Sequence, residues 1–247
     1  MERVLTPAAL QRGLAITNAR GVFSEPIAEY VLMMILVVSR RLPQLLELQR
    51  ERTWQPLEAT ELADVTVGVV GLGSIGRRVA RLSLAFGCRV VATKRDAADE
   101  PDDELSDLAD LLGPDRLPEL LAQSDFVVLA LPLTRQTEAL INSTMLAHFK
   151  PGAWLVNVAR GRLVDERALL RALREGPLGG AVLDTFRDEP LPPDSEFYAL
   201  PNAIVTPHTS WSSGRVLDRS IELFCANLQR FARGEALDNL VDPGAGY

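Results

Sequence analysis

The chain has 247 residues, 47% of them hydrophobic and 24% charged, which is typical of a globular protein with one large domain or one domain and part of another. Its formal net charge of −7 argues against a nucleic-acid partner, because an acidic surface repels phosphate backbones. The longest apolar stretch, residues 30–38, is too short to span a bilayer, and two cysteines are too few for a disulfide framework. We therefore expect a cytoplasmic protein with neither a membrane nor a nucleic-acid partner.

The predicted elements alternate between helices and short apolar strands. A long helix over residues 24–42 comes first, with Ser24 as its N-cap and Pro26 in its first turn. The predicted strands cover residues 64–70, 89–93, 126–131, 153–158, 180–184 and 203–207, and the other predicted helices cover residues 75–86, 103–112, 165–176 and 214–233. Strands separated by helices predict a doubly wound parallel sheet, an α/β fold of the Rossmann type.

The stretch GLGSIG, residues 71–76, directly follows the first predicted strand and begins a predicted helix. In that context Gly71 suits a tight turn, Gly73 suits close approach to a pyrophosphate, and Gly76 suits packing of the helix on the strand. The pattern predicts a dinucleotide site. A site for adenosylmethionine is the alternative.

The residue after the second predicted strand indicates which dinucleotide is bound. An acid at this position usually binds the ribose hydroxyls, but here the residues are Lys94 and Arg95. A cation attracts a 2′-phosphate, so the missing acid favours NADP, with NAD as the other possibility. The simpler interpretation is two solvated charges on a loop.

Three later strands each end in a residue suited to catalysis. They are followed by Arg160, by Asp184 and Glu189, and by His208, and ligands of parallel sheets bind beyond these strand ends. A histidine exchanges protons near neutral pH, a carboxylate beside it fixes its tautomer, and a guanidinium binds a carboxylate with two hydrogen bonds. Taken singly, His208 could be a capped loop histidine, and Arg160 and Glu189 a surface ion pair. Two further residues can be explained by a structural role alone. His148 would pack at a helix end, and Trp211 could lie in the core.

Six stretches of the chain together resemble the D-2-hydroxyacid dehydrogenase family. They read ITNARGVFSEPIAEYVL, VGVVGLGSIGRRVA, LALPLTRQTEALIN, FKPGAWLVNVARGRLVDERAL, GGAVLDTFRDEPLP and PNAIVTPHTSWSS. The resemblance implies that His208 is the acid/base, that Glu189 is its partner, and that Arg160 holds the carboxylate and carbonyl of a 2-keto acid. It also implies that Asp184 faces the nicotinamide and that the cofactor is lined by Ser74, Ile75, Pro132, Thr137, Val158, Ala159 and Arg160. The implied product is a D-2-hydroxy acid, and no metal is involved.

The resemblance also implies a domain organisation. Residues 1–22 are expected to be a remnant of a truncated, flavodoxin-like substrate domain, residues 23–213 the dinucleotide-binding domain, and residues 214–247 a helix and tail that pack toward the substrate domain. A homodimer through the helix at 24–42 is implied as well, in agreement with its long apolar run.

The beginning of the sequence predicts a longer native protein. Met1 stands where the family has valine, and a GTG valine codon is easily taken for a start codon in a GC-rich genome. Such a genome is suggested because only Lys94 and Lys150 of the 26 basic residues are lysine. We expect most of a substrate domain upstream, and expect the 247-residue form to bind NADPH but to reduce keto acids poorly. The last predicted helix would then lack cover on its apolar face, which carries Leu217, Ile221, Phe224, Leu228 and Phe231.

Two other classes of protein are the alternatives to a D-2-hydroxyacid dehydrogenase. A nucleotide-sensing binding module, as in corepressors that share the fold, would not need Arg160, Glu189 and His208 together. A short-chain dehydrogenase would need the pattern Tyr-x-x-x-Lys, and neither Lys94 nor Lys150 has a tyrosine four residues before it.

Overall fold

A computed structural model describes residues 12, 14–95 and 105–241 of the chain. Its strands are β1 (Thr66–Val70), β2 (Arg89–Thr93), β3 (Asp110–Leu112), β4 (Phe126–Leu129), β5 (Trp154–Asn157), β6 (Gly180–Leu183) and β7 (Ala203–Val205). All neighbours pair in parallel, in the order β3-β2-β1-β4-β5-β6-β7. The strand order reverses between β1 and β4, which is where doubly wound sheets bind ligands. The predicted Rossmann-type fold is confirmed.

Helices cover both faces of this sheet. The α-helices of the described residues are α1 (Ser24–Ser39), α2 (Leu42–Arg50), α3 (Ser74–Ala85), α4 (Leu117–Gln123), α5 (Ser143–Leu146), α6 (Glu166–Glu175) and α7 (Val216–Ala232), of which α2 and α7 lie outside the two layers on the sheet. Successive side chains of a strand point to opposite faces. Val128 therefore packs with α1 and α3, while Val127 and Leu129 pack with α4, α5 and α6. Two apolar layers result, and the central strands are buried on both sides.

The helix predicted over residues 24–42 ends at Ser39 in the structure, and a second helix that was not predicted, α2, begins at Leu42. Between α1 and α2 lies Arg41, which adopts a left-handed φ of 53°. Pro43 lies in the first turn of α2, where its missing N–H leaves no bond unmade. Ser24 is the first residue of α1 and not its N-cap, and its hydroxyl makes no hydrogen bond.

The helix predicted over residues 103–112 is wrong: its described part, residues 105–112, contains no α-helix. Residues 101–104 lie outside the described part of the chain, and Asp110–Leu112 form β3, with Val91 of β2 opposite Asp110. Leu112 is buried in the sheet. So short an apolar run has too little periodicity to distinguish a strand from a helix. The same reason explains why α4 and α5, of 7 and 4 residues, were not predicted.

The last helix, α7, carries the predicted apolar face, and this face is exposed. The exposed fractions lie between 52% and 68% for Leu217, Ile221, Phe224, Leu228 and Phe231. Asn227, on another side of α7, is buried and exchanges two hydrogen bonds with the backbone of Asp238. No helix in the described residues is long and apolar enough to cross a bilayer.

Candidate active site

The loop between β1 and α3 has the geometry of a dinucleotide-binding turn. Gly71 adopts a φ of +100°, and a Cβ added there would lie 2.9 Å from the Ala130 carbonyl oxygen. A Cβ on Gly76 would lie 1.9 Å from the Gly71 oxygen, so α3 approaches the turn through glycine. A Cβ on Gly73 would meet nothing within 4 Å. Gly73 is the N-cap of α3, and free backbone N–H groups at such a terminus bind phosphates.

A cavity of about 440 Å³ opens beside this loop, at the carboxyl ends of β4, β5 and β7. Its walls are mainly apolar, and Arg160 and His208 are its charged or titratable residues. The lining consists of Phe23, Ile27, Ile75, Ala130, Leu131, Leu133, Val158, Ala159, Arg160, His208, Ser210 and Trp211. Five residues predicted from the sequence thus meet at one cavity. They are Ile75, Val158, Ala159, Arg160 and His208.

Other predicted cofactor residues lie around the cavity and not in its wall. Ser74 is the first residue of α3, next to Gly73. Thr137 donates a hydrogen bond to the Pro132 carbonyl oxygen at 2.8 Å and accepts one from the Thr134 backbone N–H, also at 2.8 Å. These bonds shape the loop after β4. Contact of Pro132 or Thr137 with a cofactor stays a prediction.

Lys94 and Arg95 lie at the carboxyl end of β2, beside the glycine loop. The Gly71 N–H donates to the carbonyl oxygen of Thr93, at 3.2 Å, so Lys94 comes one residue after this contact. The Lys94 side chain is half-buried and Arg95 is exposed. Contact of Lys94 or Arg95 with a 2′-phosphate stays a prediction.

His208 and Glu189 form a hydrogen-bonded pair. The His208 Nδ1 lies 2.8 Å from Glu189 Oε2, and Glu189 Oε1 accepts the Phe186 backbone N–H at 2.9 Å. The carboxylate is therefore held by the backbone of its own loop, and Nδ1 of the ring is engaged. This leaves Nε2 as the ring nitrogen available to a ligand.

Asp184 lies beneath the His208 loop, and it is fully buried. Its Oδ1 accepts the Thr206 hydroxyl at 2.6 Å and the Thr209 N–H at 2.8 Å, and its Oδ2 accepts the Ser210 N–H at 2.9 Å. With Glu189 and His208 it also lines a second cavity, of about 610 Å³. The structure therefore shows Asp184 organising the loop, while its expected contact with nicotinamide stays a prediction.

The loop that carries Arg160 is held by Asn157 and Gly161. Asn157, buried at the end of β5, donates to the Arg160 carbonyl oxygen at 3.0 Å and accepts the Ala159 N–H at 3.1 Å. A Cβ on Gly161 would lie 2.0 Å from the Phe186 carbonyl carbon, so the Arg160 and Glu189 loops touch through their backbones.

Glu166 joins the same two loops from the start of α6. It accepts the Arg187 N–H at 2.6 Å. Burial raises the pKa of Glu166, and the Arg187 hydrogen bond opposes that rise. Glu166, Asn157 and Gly161 were all missed as site residues. The polar Asn157 at the end of an apolar strand was the available signal.

Trp211 is not a core residue. Its side chain is 44% exposed, its Nε1 donates to the His208 carbonyl oxygen at 2.7 Å, and its ring meets Phe23 edge-on with centroids 6.4 Å apart. Trp211 therefore contacts the His208 loop, and it also borders the first cavity. His148 follows α5 and is exposed, away from the site.

Residues 32–210 match the model of a protein family described as D-isomer specific 2-hydroxyacid dehydrogenase, NAD binding domain. The chain belongs to this dehydrogenase family. Membership confirms the predicted reaction class, in which a hydride passes between NAD(P)H and a keto or hydroxy acid.

Individual relatives agree with the family assignment. A glyoxylate reductase of Korarchaeum cryptofilum is 35% identical over 242 residues, which are 95% of this chain and 71% of the relative. A D-isomer specific 2-hydroxyacid dehydrogenase from Xanthobacter autotrophicus, solved with NADPH and MES, has a TM-score of 0.85 and 36% identity, covering 95% of this chain and 94% of that chain. An NADPH-dependent glyoxylate/hydroxypyruvate reductase from Sinorhizobium meliloti, solved with NADP and sulfate, has a TM-score of 0.83 and 32% identity, covering 92% and 71%.

The residues of this dehydrogenase fit a nicotinamide dinucleotide. The open side of Gly73 at the start of α3 leaves room for a pyrophosphate, whereas Gly71 and Gly76 have no room for a side chain. The apolar wall formed by Ile75, Val158 and their neighbours suits a flat ring. Among the described residues, no cluster of side chains could hold a metal ion.

Proposed function

We propose that the chain reduces a small 2-keto acid to a D-2-hydroxy acid with NADPH as the hydride donor. The observation that carries the proposal is that the candidate catalytic residues lie at one cavity. His208, whose Nδ1 lies 2.8 Å from Glu189 Oε2, and Arg160 both line one cavity beside the glycine loop. Proton donor, carboxylate binder and dinucleotide turn are the three parts that such a reduction requires.

When bound, the reduced nicotinamide supplies the hydride to the carbonyl carbon. His208 then gives a proton from Nε2 to the carbonyl oxygen, because Nδ1 is already engaged by Glu189. Glu189 fixes the orientation of the ring, and the Phe186 N–H in turn holds Glu189 in place. The expected product is a 2-hydroxy acid.

Arg160 is proposed to bind the carboxylate of the keto acid. Its guanidinium is exposed at the cavity, with Nη1 donating to the Ala159 carbonyl oxygen at 2.6 Å. A planar guanidinium has five N–H donors, so several remain for a bidentate grip on a carboxylate. This grip would hold the carbonyl beside His208.

Lys94 is proposed to select NADPH over NADH. Two facts support this: Lys94 stands one residue beyond the contact between β2 and Gly71, and similar dehydrogenases have been solved with NADPH or NADP. A cation there forms charge-assisted hydrogen bonds with a 2′-phosphate.

A homodimer is also proposed, on the basis of exposed apolar residues near α1. Helix α1 buries most of its apolar residues within its own subunit, so its composition alone does not require a partner. The neighbouring surface does support one. Trp54 is fully exposed, and Met33, Leu42, Leu45 and Leu46 are between 39% and 47% exposed. Sedimentation of a monomer at micromolar concentration would contradict the dimer.

The domain boundaries remain proposals too. We place the dinucleotide-binding domain at residues 23–213, which agrees with the family match over residues 32–210. Residues 214–247, with the exposed apolar face of α7, are proposed to pack toward a substrate domain. Large exposed apolar patches of this kind are typical of surfaces that other chain segments cover.

The function is tested by titrating the protein fluorescence with NADPH and NADH and then following cofactor oxidation with a panel of keto acids. The panel includes glyoxylate, hydroxypyruvate and bulkier 2-keto acids. We expect tighter binding of NADPH and its oxidation by at least one panel member. Cofactor binding without oxidation by any of them would instead favour a nucleotide-sensing module.

A further inference from the structure

A chain of hydrogen bonds links helix α1 to the loop that carries His208. The Tyr30 hydroxyl lies 2.6 Å from the Thr206 hydroxyl oxygen, and Thr206 donates to Asp184 Oδ1 at 2.6 Å. A hydroxyl has one hydrogen to donate. Because Thr206 gives its hydrogen to the carboxylate, Tyr30 must be the donor to Thr206.

The environment of Tyr30 keeps its hydroxyl a hydrogen-bond donor. The side chain is buried among apolar residues of α1 and the sheet. Burial, with a smaller contribution from the charge of Asp184 and against the effect of the Thr206 hydrogen bond, raises the pKa of Tyr30 to about 12. The phenol therefore stays protonated throughout the neutral range.

The loop that receives this chain of bonds has an unusual backbone. His208 has a φ of +50°, a left-handed conformation that residues other than glycine seldom adopt. Its N–H donates to the Thr206 carbonyl oxygen at 3.0 Å. On the other side of His208, the backbone N–H groups of Thr209 and Ser210 are both bound by Asp184. Asp184 and Thr206 thus hold the residues on either side of the strained histidine.

We infer that Tyr30 is a positioning residue for His208, acting through Thr206 and Asp184. Its hydroxyl sets the rotamer of Thr206, and the Thr206 hydroxyl in turn completes the hydrogen bonding of the carboxylate that clamps the loop. Tyr30 does not line the cavity, so it acts without touching a ligand there. The inference rests on the proposed role of His208 as the proton donor.

The test uses the fact that the chain contains only two histidines. Nitrogen NMR of the ring atoms reports the tautomer and environment of His208, with the distant His148 as an internal control. In Tyr30→Phe we expect the His208 signals to shift or broaden while the His148 signals stay in place. The turnover number should fall by about two- to tenfold, the size of one neutral hydrogen bond, with the affinity for NADPH unchanged.

Two variants of Thr206 provide the matched comparison. Thr206→Val removes the hydroxyl at similar volume and is expected to disturb the His208 signals, whereas Thr206→Ser keeps the hydroxyl and should retain them. Combining Tyr30→Phe with Thr206→Val should add little to Thr206→Val alone, because both act on one chain of bonds. If Tyr30→Phe does not fold, the valine and serine variants still probe the chain from its other end.

The results separate this inference from the proposed function. Unchanged His208 signals in both Tyr30→Phe and Thr206→Val would overturn the positioning role, whatever the enzyme reduces. Altered signals with unaltered turnover would support the link from Tyr30 to His208 as a structural fact but overturn its relevance to catalysis.

Discussion

Gly73 and Gly76 lie in the same GLGSIG stretch, but changing each to alanine should affect a different property. Gly73→Ala should weaken cofactor binding, and Gly76→Ala should lower stability. At Gly73 the backbone angles, φ −77° and ψ −167°, are open to any residue, and the added Cβ meets nothing within 4 Å. Alanine is a poorer N-cap than glycine but orders the unfolded chain more, and these effects offset each other to within about 1 kcal/mol. Stability in Gly73→Ala should therefore stay near that of the wild type.

Cofactor binding should respond strongly to the same change. The methyl group occupies the open side of the loop, where a pyrophosphate would approach the start of α3. We expect the affinity of Gly73→Ala for NADPH to fall by about 10- to 100-fold, or about 1.4–2.8 kcal/mol. Protein fluorescence titration measures this loss, and urea denaturation measures the stability alongside.

Gly76→Ala is the matched control. Its Cβ would lie 1.9 Å from the Gly71 carbonyl oxygen and 3.2 Å from Val69 Cγ1, so the helix must move away from the turn. Overpacking of this kind costs roughly 1–3 kcal/mol of unfolding free energy. A Gly73→Ala protein that binds NADPH as tightly as the wild type would refute the reasoning, and so would a Gly76→Ala protein of undiminished stability.

Three further substitutions test the proposed roles. The wild type should prefer NADPH, because each charge-assisted hydrogen bond from Lys94 contributes about 1.5–3 kcal/mol. Lys94→Asp should reverse this preference, and equal wild-type dissociation constants for NADPH and NADH would contradict it. Arg160→Ala should raise the KM for the keto acid at least about tenfold while leaving NADPH affinity intact, and an unchanged KM in steady-state kinetics would place the carboxylate elsewhere. Gly161→Ala puts a Cβ 2.0 Å from the Phe186 carbonyl carbon and should lower the unfolding free energy by roughly 1–3 kcal/mol in urea titrations; wild-type stability and turnover together would show that the two loops are not locked there.

The parallel sheet and its glycine turn could be predicted because their signals are local. Each buried strand is a short, mainly apolar run, and GLGSIG stands between a strand and a helix. The short strand β3 could not be predicted, because three residues, Asp110–Leu112, have no measurable period. Helix α2 was not predicted, because none of its residues is buried and its apolar positions mark no face toward the core.

The residues of the site also include some that could be predicted from the sequence and some that could not. His208, Glu189 and Arg160 could be proposed because each follows a predicted strand and has a reactive side chain. The residues that hold them act through contacts between distant segments. Tyr30 meets Thr206 across 176 positions of sequence, and Gly161 matters only because the Phe186 backbone lies against it. Such contacts depend on tertiary packing, which one sequence does not reveal.

The central claim is that His208 protonates a 2-keto acid as NADPH is oxidised. The most direct measurement compares wild type and His208→Ala under single-turnover conditions, at saturating NADPH, with the keto acid that the panel identifies. The account predicts equal NADPH affinity and a rate of oxidation lower by about 10²- to 10⁴-fold in the variant, with a D-2-hydroxy acid as the wild-type product. Oxidation of NADPH by His208→Ala at the wild-type rate would contradict it.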